Sequence, residues 1–392
     1  MQYRKDLKSG NSLSALGFGC MRLPGNFGMP DYAKSEKLFL DAIDMGINYF
    51  DTAYLYPGSE AILGDFLTKN KVRERFYIAT KLPQVLCKAT SDFDKYLSEQ
   101  LKRLKTDYID YYLIHNISSL KQWEGLLEMG IGPWIEAKKE AGVVRQIGFS
   151  YHGPSHDFLE ILETWDWDFC QIQYNYININ YQAGITGLKR AAQKGLPVII
   201  MEPLLGGRLA SSLPAKAQTV FKTANPNRSY AAWALKWLWN QPEVTVILSG
   251  MNHADQVEDN ISTASSTPPE SLSEEEIGAI ESVIKIFNDS YKIPCTGCNY
   301  CMPCPKKINI PAAFTAYNAS YSINKWDGIK QYMLSCGVMS DNPHYASSCV
   351  KCGKCEQHCP QGIQIRDSLE LVTGRLDSFL YKTGAKVIKK IM

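Results

Sequence analysis

The sequence predicts an α/β fold in which eight strand–helix units close into a (β/α)8 barrel, followed by a smaller, mainly helical module built around cysteines. Two observations predict the barrel. Between about residues 16 and 265, short β-rich apolar runs alternate eight times with longer amphipathic stretches, and strands alternating with helices pair in parallel and close at about 250 residues. A doubly wound sheet would instead announce a Gly-rich nucleotide turn after its first strand, and Gly17-Phe18-Gly19-Cys20-Met21 lacks the third glycine and the helix start. One observation predicts the second module: nine of the twelve cysteines lie between Cys295 and Cys359.

The apolar runs place strands at 16–21, 48–53, 76–82, 109–115, 144–150, 169–175, 197–204 and 244–250. Helices are expected between and after them at 32–46, 59–70, 91–106, 126–142, 156–166, 186–195, 228–240 and 255–263. Ser265-Ser266-Thr267-Pro268-Pro269 reads as a linker, so the barrel is expected to span 1–268. Ser273 with Glu276 three residues later forms a capping box, which opens a connecting helix within 269–290. Residues 291–370 carry little β signal, and short helices at 311–321 and 326–334 join the two cysteine groups. The tail, 371–392, carries Lys382, Lys386, Lys389 and Lys390 among apolar residues. It reads as a frayed, solvated helix end or as a docking surface for a partner or membrane.

Composition narrows the function. A chain of 392 residues exceeds one ordinary domain, and 45% hydrophobic with 21% charged residues excludes disorder, collagen and coiled coil. Lys+Arg at 42 against Asp+Glu at 40 leaves a net charge of +2, too weak a field to make nucleic acid the expected partner. No apolar run reaches the roughly 18 residues of a membrane span. Met1-Gln2-Tyr3-Arg4-Lys5-Asp6 lacks the charged-then-apolar pattern of a signal peptide, so a cytoplasmic protein is expected. A reducing compartment favours metal or iron–sulfur ligation over disulfides for the cysteine cluster.

Cys349-x2-Cys352-x2-Cys355-x3-Cys359-Pro360 has the bacterial ferredoxin spacing, in which three thiolates hold one cube and the fourth reaches a second. Its partner, Cys295-x2-Cys298-x2-Cys301-x2-Cys304-Pro305, is one residue short in the last gap. Cross-ligation then predicts two [4Fe–4S] clusters, one on Cys295, Cys298, Cys301 and Cys359 and the other on Cys349, Cys352, Cys355 and Cys304. Zinc is the alternative for such thiols, although zinc sites usually join two separated Cys-x2-Cys turns. Cys336 is expected to be a spare, buried thiol.

Catalytic groups in a (β/α)8 barrel sit at the C-terminal strand ends. The second strand ends in Asp51-Thr52-Ala53 and continues Tyr54-Leu55-Tyr56-Pro57-Gly58-Ser59-Glu60, the third ends in Thr80-Lys81, and the fourth in Leu113-Ile114-His115. Each residue alone has a structural explanation. Together they bring a carboxylate, a phenol, a cation and an imidazole to one mouth.

On these motifs the sequence resembles the aldo/keto reductases, over about residues 3–264. The resemblance implies that Tyr56 is the general acid/base, that Lys81 lowers its pKa, that Asp51 holds Lys81, and that His115 polarises and orients the substrate carbonyl. Physical chemistry agrees, because an unperturbed phenol near pKa 10 holds its proton too tightly at neutral pH and a neighbouring ammonium favours the phenolate. The resemblance further implies that Ser150 and Gln171 hold a nicotinamide carboxamide. Tyr151 departs from it by standing where the family commonly has Asn, and Met201 by replacing an aromatic. The following loop, with Leu204, Gly206 and Arg208, keeps only the general form. Ser249, Gly250, Gln256, Asp259 and Asn260 occupy the nucleotide segment after the eighth strand. Gly250 and Gln256 replace its usual cations, so weak discrimination between NADPH and NADH is expected, with Arg208 the nearby cation that could substitute.

A barrel of this type followed by Cys-Thr-Gly-Cys-Asn-Tyr-Cys-Met-Pro-Cys-Pro resembles the ferredoxin-fused branch of the family. The expectation is an NAD(P)H-dependent oxidoreductase acting on a small-molecule carbonyl or alcohol, its clusters relaying electrons between the barrel site and an external carrier. Hydride transfer moves two electrons and a cluster moves one, and no recognisable flavin motif bridges the two. Two other readings are a redox sensor whose barrel binds nicotinamide with little turnover, and clusters that only staple a small core.

Overall fold

Period-two alternation decides which side chains line the barrel and which face the helices. In the computed structural model, which describes residues 1–26, 29–336 and 344–377, eight parallel strands hydrogen-bond in chain order and close on themselves. They are β1 (Leu16–Gly19), β2 (Tyr49–Asp51), β3 (Tyr77–Leu82), β4 (Ile109–Ile117), β5 (Val144–Tyr151), β6 (Phe169–Gln173), β7 (Val198–Met201) and β8 (Val244–Ser249). The register Phe18↔Phe50 joins β1 to β2, and Ser249↔Phe18 closes β8 on β1.

Inside the barrel a buried cluster gathers Tyr49, Ala79, Tyr111, Leu113, Phe169, Ile199, Val246 and Leu248. Their strand neighbours Phe50, Ile78, Tyr112, Ile114, Cys170, Ile200 and Ile247 belong instead to the outer core against the helices. Two residues beyond Tyr49, Ala79 and Leu113 stand Asp51, Lys81 and His115. The same parity that buries the interior cluster therefore points these three into the mouth.

The helices of the barrel unit are α1 (Tyr32–Asp44), α2 (Ser59–Asn70), α3 (Thr90–Leu104), α4 (Leu120–Glu128), α5 (Ile131–Glu140), α6 (Ser155–Thr164) and α7 (Gly184–Gln193). The Asp31 side chain caps α1 by accepting from the Lys34 amide at 3.0 Å. The single helix expected at 126–142 is two, because Gly130, at φ 90°, turns the chain between α4 and α5. After β7 the chain departs from simple alternation. Leu205, Gly206 and Gly207 all take positive φ, and the segment continues through α8 (Arg208–Ser211) and α9 (Ala215–Ala224) before the barrel resumes with α10 (Tyr230–Trp239) and α11 (Ala254–Ser265).

The chain divides into two compact units, 1–204 with 231–272, and 205–230 with the residues from 273 on. The second unit contains α8 and α9 together with α12 (Glu274–Ser290), α13 (Ile310–Ser322), α14 (Lys325–Cys336), α15 (Lys354–Gln357) and α16 (Ile365–Leu376). The capping box opens α12 as expected, the Ser273 hydroxyl accepting from the Glu276 amide at 3.2 Å and Glu276 accepting from the Ser273 amide at 3.1 Å. Arg228 and Glu276 pair within this unit. Its core gathers Ile293, Ile308, Ile310, Phe314, Tyr332 and Leu369 with buried Cys336. Lys382, Lys386, Lys389 and Lys390 lie outside the described residues. No helix among the described residues is long and apolar enough to cross a membrane.

Gly64 marks the closest approach of α2 to α3. A Cβ built there would lie 2.0 Å from the Arg103 carbonyl oxygen and 2.8 Å from the Leu104 carbonyl carbon, backbone that cannot rotate away. Gly64→Ala should therefore cost about 1–3 kcal/mol through overpacking, despite alanine's better helix propensity. Urea denaturation checks it: a variant as stable as wild type would mean that the two helices separate freely.

Candidate active site and cysteine cavities

The mouth is organised by Lys81. Its ammonium donates to both Asp51 carboxylate oxygens and to the Thr52 carbonyl oxygen, each at 2.7 Å, with Lys81 only 1% and Asp51 3% exposed. Burial pushes the Asp51 carboxyl above its usual range against the opposing pull of Lys81. Tyr56 follows β2 on the loop into α2. Its ring centroid lies 5.1 Å from the Lys81 nitrogen and 6.0 Å, edge-on, from the His115 ring. Burial, the Lys81 charge and the neighbouring His152 hold His115 well below the usual imidazole range, so its ring is neutral at pH 7. Its Nδ1 is buried without a hydrogen-bond partner.

A second layer fixes this group. The Ser59 hydroxyl meets Thr52 Oγ1 at 2.7 Å and donates to the Cys20 carbonyl oxygen at 2.9 Å. Buried Glu60 accepts from Thr80 Oγ1 at 2.6 Å, Gln100 Nε2 at 2.7 Å and Arg103 at 3.2 Å. The Tyr112 hydroxyl donates to Gln100 Oε1 at 2.7 Å. The Ser-Glu step of the sequence motif thus ties α2 to the ends of β1, β2 and β3.

Around the mouth, Ser150 accepts from the Asn116 amide at 2.8 Å. Gln171 approaches the Met201 sulfur through Nε2 at 3.6 Å, and its Oε1 is buried without a partner. Tyr151 is turned outward by strand parity, donating to the Pro154 carbonyl oxygen at 2.6 Å and packing on Phe149 and Phe158. After β8, Asn260 Nδ2 donates to Ser249 Oγ at 3.0 Å, and Gln256 accepts from the Asn252 amide at 2.9 Å. Asp259 lies one residue before Asn260 on the same helix, α11. Leu204 is half-buried at the end of the first stretch of the barrel unit. Gly206 and Arg208 belong to the second unit. There the Arg208 guanidinium lies over the Tyr291 ring, 5.4 Å from its centroid, and donates to Thr315 at 3.4 Å.

In the second unit the eight motif cysteines sort into two cavities. One is lined by Cys295, Cys298, Cys301 and Cys359 with Thr296, Gln361 and Phe314. The other is lined by Cys304, Cys349, Cys352 and Cys355 with Lys306, Arg366 and Leu369. Ile310 lines both. Electrostatic coupling follows the same division. Burial, with Cys295, Cys298 and Cys359 nearby, pushes the Cys301 thiol up to about 12, and burial, with Glu356, Cys349 and Cys304 nearby, raises Cys355.

Residues 15–285 match the aldo/keto reductase family. The chain belongs to that family. Residues 294–363 match a 4Fe-4S dicluster domain, so this is an oxidoreductase barrel joined to an iron–sulfur module. Among curated relatives, L-galactose dehydrogenase of Arabidopsis thaliana is 26% identical, covering 71% of this chain and 92% of the relative. The 6-dehydroglucose reductase of Novosphingobium aromaticivorans is 30% identical, covering 64% and 86%. The holo form of an aldo-keto reductase from Bacillus halodurans superposes with a TM-score of 0.60 at 24% identity, covering 72% and 96%.

Several side chains of this reductase escaped the sequence reading. Arg22 is one: a Cβ built on Gly250 would lie 3.6 Å from the Arg22 Cβ, which puts a cation from the turn after β1 beside the segment that lacks its own. Gln100, Arg103 and Gln182 are others, each acting through a fold contact that no local spacing announces. Glu60 shows the cost of such contacts. Glu60→Ala should lose about 1.5–3 kcal/mol, the range for hydrogen bonds to a charged group, whereas Glu60→Gln, which keeps an acceptor for Thr80, should lose less. Equal denaturation midpoints for the two variants would show that the carboxylate network is not what holds α2 and α3 to β3.

Proposed function

We propose that the barrel interconverts a small-molecule carbonyl and its alcohol by hydride exchange with NADH or NADPH, and that two [4Fe–4S] clusters in the second unit relay electrons to an external carrier. The convergence of Asp51, Tyr56, Lys81 and His115 on one mouth carries the first half of this reading. The unpartnered Gln171 Oε1 supports it as well, since a buried acceptor without a donor suits a carboxamide N–H. A bound nicotinamide would supply the hydride.

The chain's own residues move the proton and orient the substrate. Tyr56 gives its proton to the carbonyl oxygen in reduction and recovers it in oxidation. Lys81 stabilises the phenolate, and Asp51 with the Thr52 carbonyl keeps the ammonium from turning away. Neutral His115 donates to the carbonyl oxygen without placing a second cation beside Lys81. Ser150 and Gln171 would hold the carboxamide, with Met201 and Leu204 beside the ring. Ser249, Gly250, Gln256, Asp259 and Asn260 would bind the adenosine end, where Arg22 offers a cation to a phosphate. Relatives named for sugar oxidation and reduction support a hydroxylated substrate.

In the second unit the eight cysteines would hold one-electron carriers. A single zinc ion with bonds of about 2.3 Å draws its sulfurs close together, and no group of three His, Cys, Asp or Glu side chains among the described residues is gathered for a single ion. Thiols ringing a cavity fit the larger cube better. Cys352 is exposed whereas Cys295 is buried, which supports exchange with a carrier through the cluster on Cys349, Cys352, Cys355 and Cys304.

Tyr56→Phe should abolish carbonyl reduction while leaving nicotinamide binding, read by fluorescence titration, nearly unchanged. Wild-type turnover in that variant would overturn the mechanism. Anaerobically prepared protein should contain iron and acid-labile sulfide near about eight each per chain. By EPR, Cys359→Ala should damage the cluster on Cys295, Cys298 and Cys301, and Cys304→Ala the cluster on Cys349, Cys352 and Cys355. Stoichiometric zinc without sulfide would refute the cluster assignment.

A further inference from the structure

The mouth holds a second imidazole that the proton-transfer group does not use. His152 follows β5, and its backbone amide donates to the Ile117 carbonyl oxygen at 2.9 Å, fixing it at the C-terminal ends of β4 and β5. Its Nδ1 lies 3.1 Å from Oε1 of Gln182, a buried residue on the loop between β6 and α7. The ring is near enough to His115 to oppose its protonation.

This geometry sets a hydrogen-bonding polarity. An amide oxygen only accepts, so Nδ1 carries the proton and Nε2 of a neutral ring is an acceptor. The ring is neutral, because burial holds His152 down to about 4. Nε2 has no hydrogen-bond partner among the described residues and is not among the buried, unsatisfied atoms, so it faces reachable space. A carbonyl oxygen bound to Tyr56 and His115 meets donors, and a group meeting His152 Nε2 must itself donate.

Resting on the reductase reading above, we infer that His152, oriented by Gln182, is a specificity-determining residue that accepts a hydrogen bond from a substrate hydroxyl close to the reacting carbonyl, so that the barrel selects hydroxy-carbonyl compounds over their deoxy analogues. The neighbouring groups fit this selection. The Lys81 ammonium has only protons to donate, and Tyr151 is committed to the Pro154 carbonyl. No electron or covalent step is added by His152; it positions the substrate.

The test compares glyceraldehyde with propanal as substrates of the full-length, cluster-loaded protein in wild type, His152→Phe and Gln182→Leu. Wild type should favour glyceraldehyde in kcat/KM by about tenfold or more, the scale of one hydrogen bond. His152→Phe, which keeps ring volume and removes the acceptor, should erase that preference mainly through KM and leave propanal kcat/KM within about twofold. Gln182→Leu, which frees the tautomer, should reduce the preference partly. If wild type reduces propanal as well as glyceraldehyde, or if His152→Phe lowers both equally, the inference fails while the reductase reading stands. If wild type reduces neither, the reductase reading and the inference fall together.

Discussion

One buried cation sets the conditions for the rest of the barrel. Moving the Lys81 ammonium out of water carries a penalty of several kcal/mol, recovered only when its acceptors are well placed. Those acceptors, Asp51 and the Thr52 carbonyl, come from the end of β2, so the register Asp51↔Ala79 between β2 and β3 cannot slip by one residue. A slip would turn Lys81 toward the helices and leave Asp51 uncompensated. The network of Ser59, Glu60, Thr80 and Gln100 follows from the same requirement, because it ties α2 and α3 to the strands that carry the ion pair.

In the second unit the corresponding constraint is thiolate charge. Burial raises the thiols of Cys301, Cys355 and Cys359, whereas ligation needs them deprotonated, so the cations of bound iron must overcome the same desolvation that raises them. Ile310 is shared by the walls of both cavities. Lys306 and Arg366 line only the cavity of Cys304, Cys349, Cys352 and Cys355. Arg366 there is paired with Glu356 at 2.7 Å.

What the sequence disclosed follows the range of the forces involved. Eight strands, the mouth residues and the capping box at Ser273 were legible because alternation, strand ends and capping depend on neighbours within a few positions. The split between α4 and α5 was missed because one glycine at φ 90° outweighed an otherwise helical pattern. The membership of 205–230 in the second unit was hidden because pairs such as Arg228 with Glu276 span distant parts of the chain. Arg22, Gln100 and Gln182 were illegible for the same reason: each gains its role from a residue brought near by barrel closure.

The polar side chains of the barrel divide by whether the protein itself satisfies them. Glu60, Gln100 and Tyr112 are buried, and the hydrogen bonds among them and with Thr80 and Arg103 are complete without a ligand, which suits scaffold. Gln171 Oε1 and His115 Nδ1 are buried and unpartnered, and His152 Nε2 is held in a fixed tautomer without a partner among the described residues. A folded protein keeps an unsatisfied buried polar atom at a cost of about 1–3 kcal/mol; Tyr49 Oη and Trp123 Nε1 carry it away from the mouth, whereas at the mouth a bound molecule can remove it. At the mouth, Gln171 Oε1 and His115 Nδ1 are thus buried polar atoms that the protein itself leaves for a ligand to satisfy.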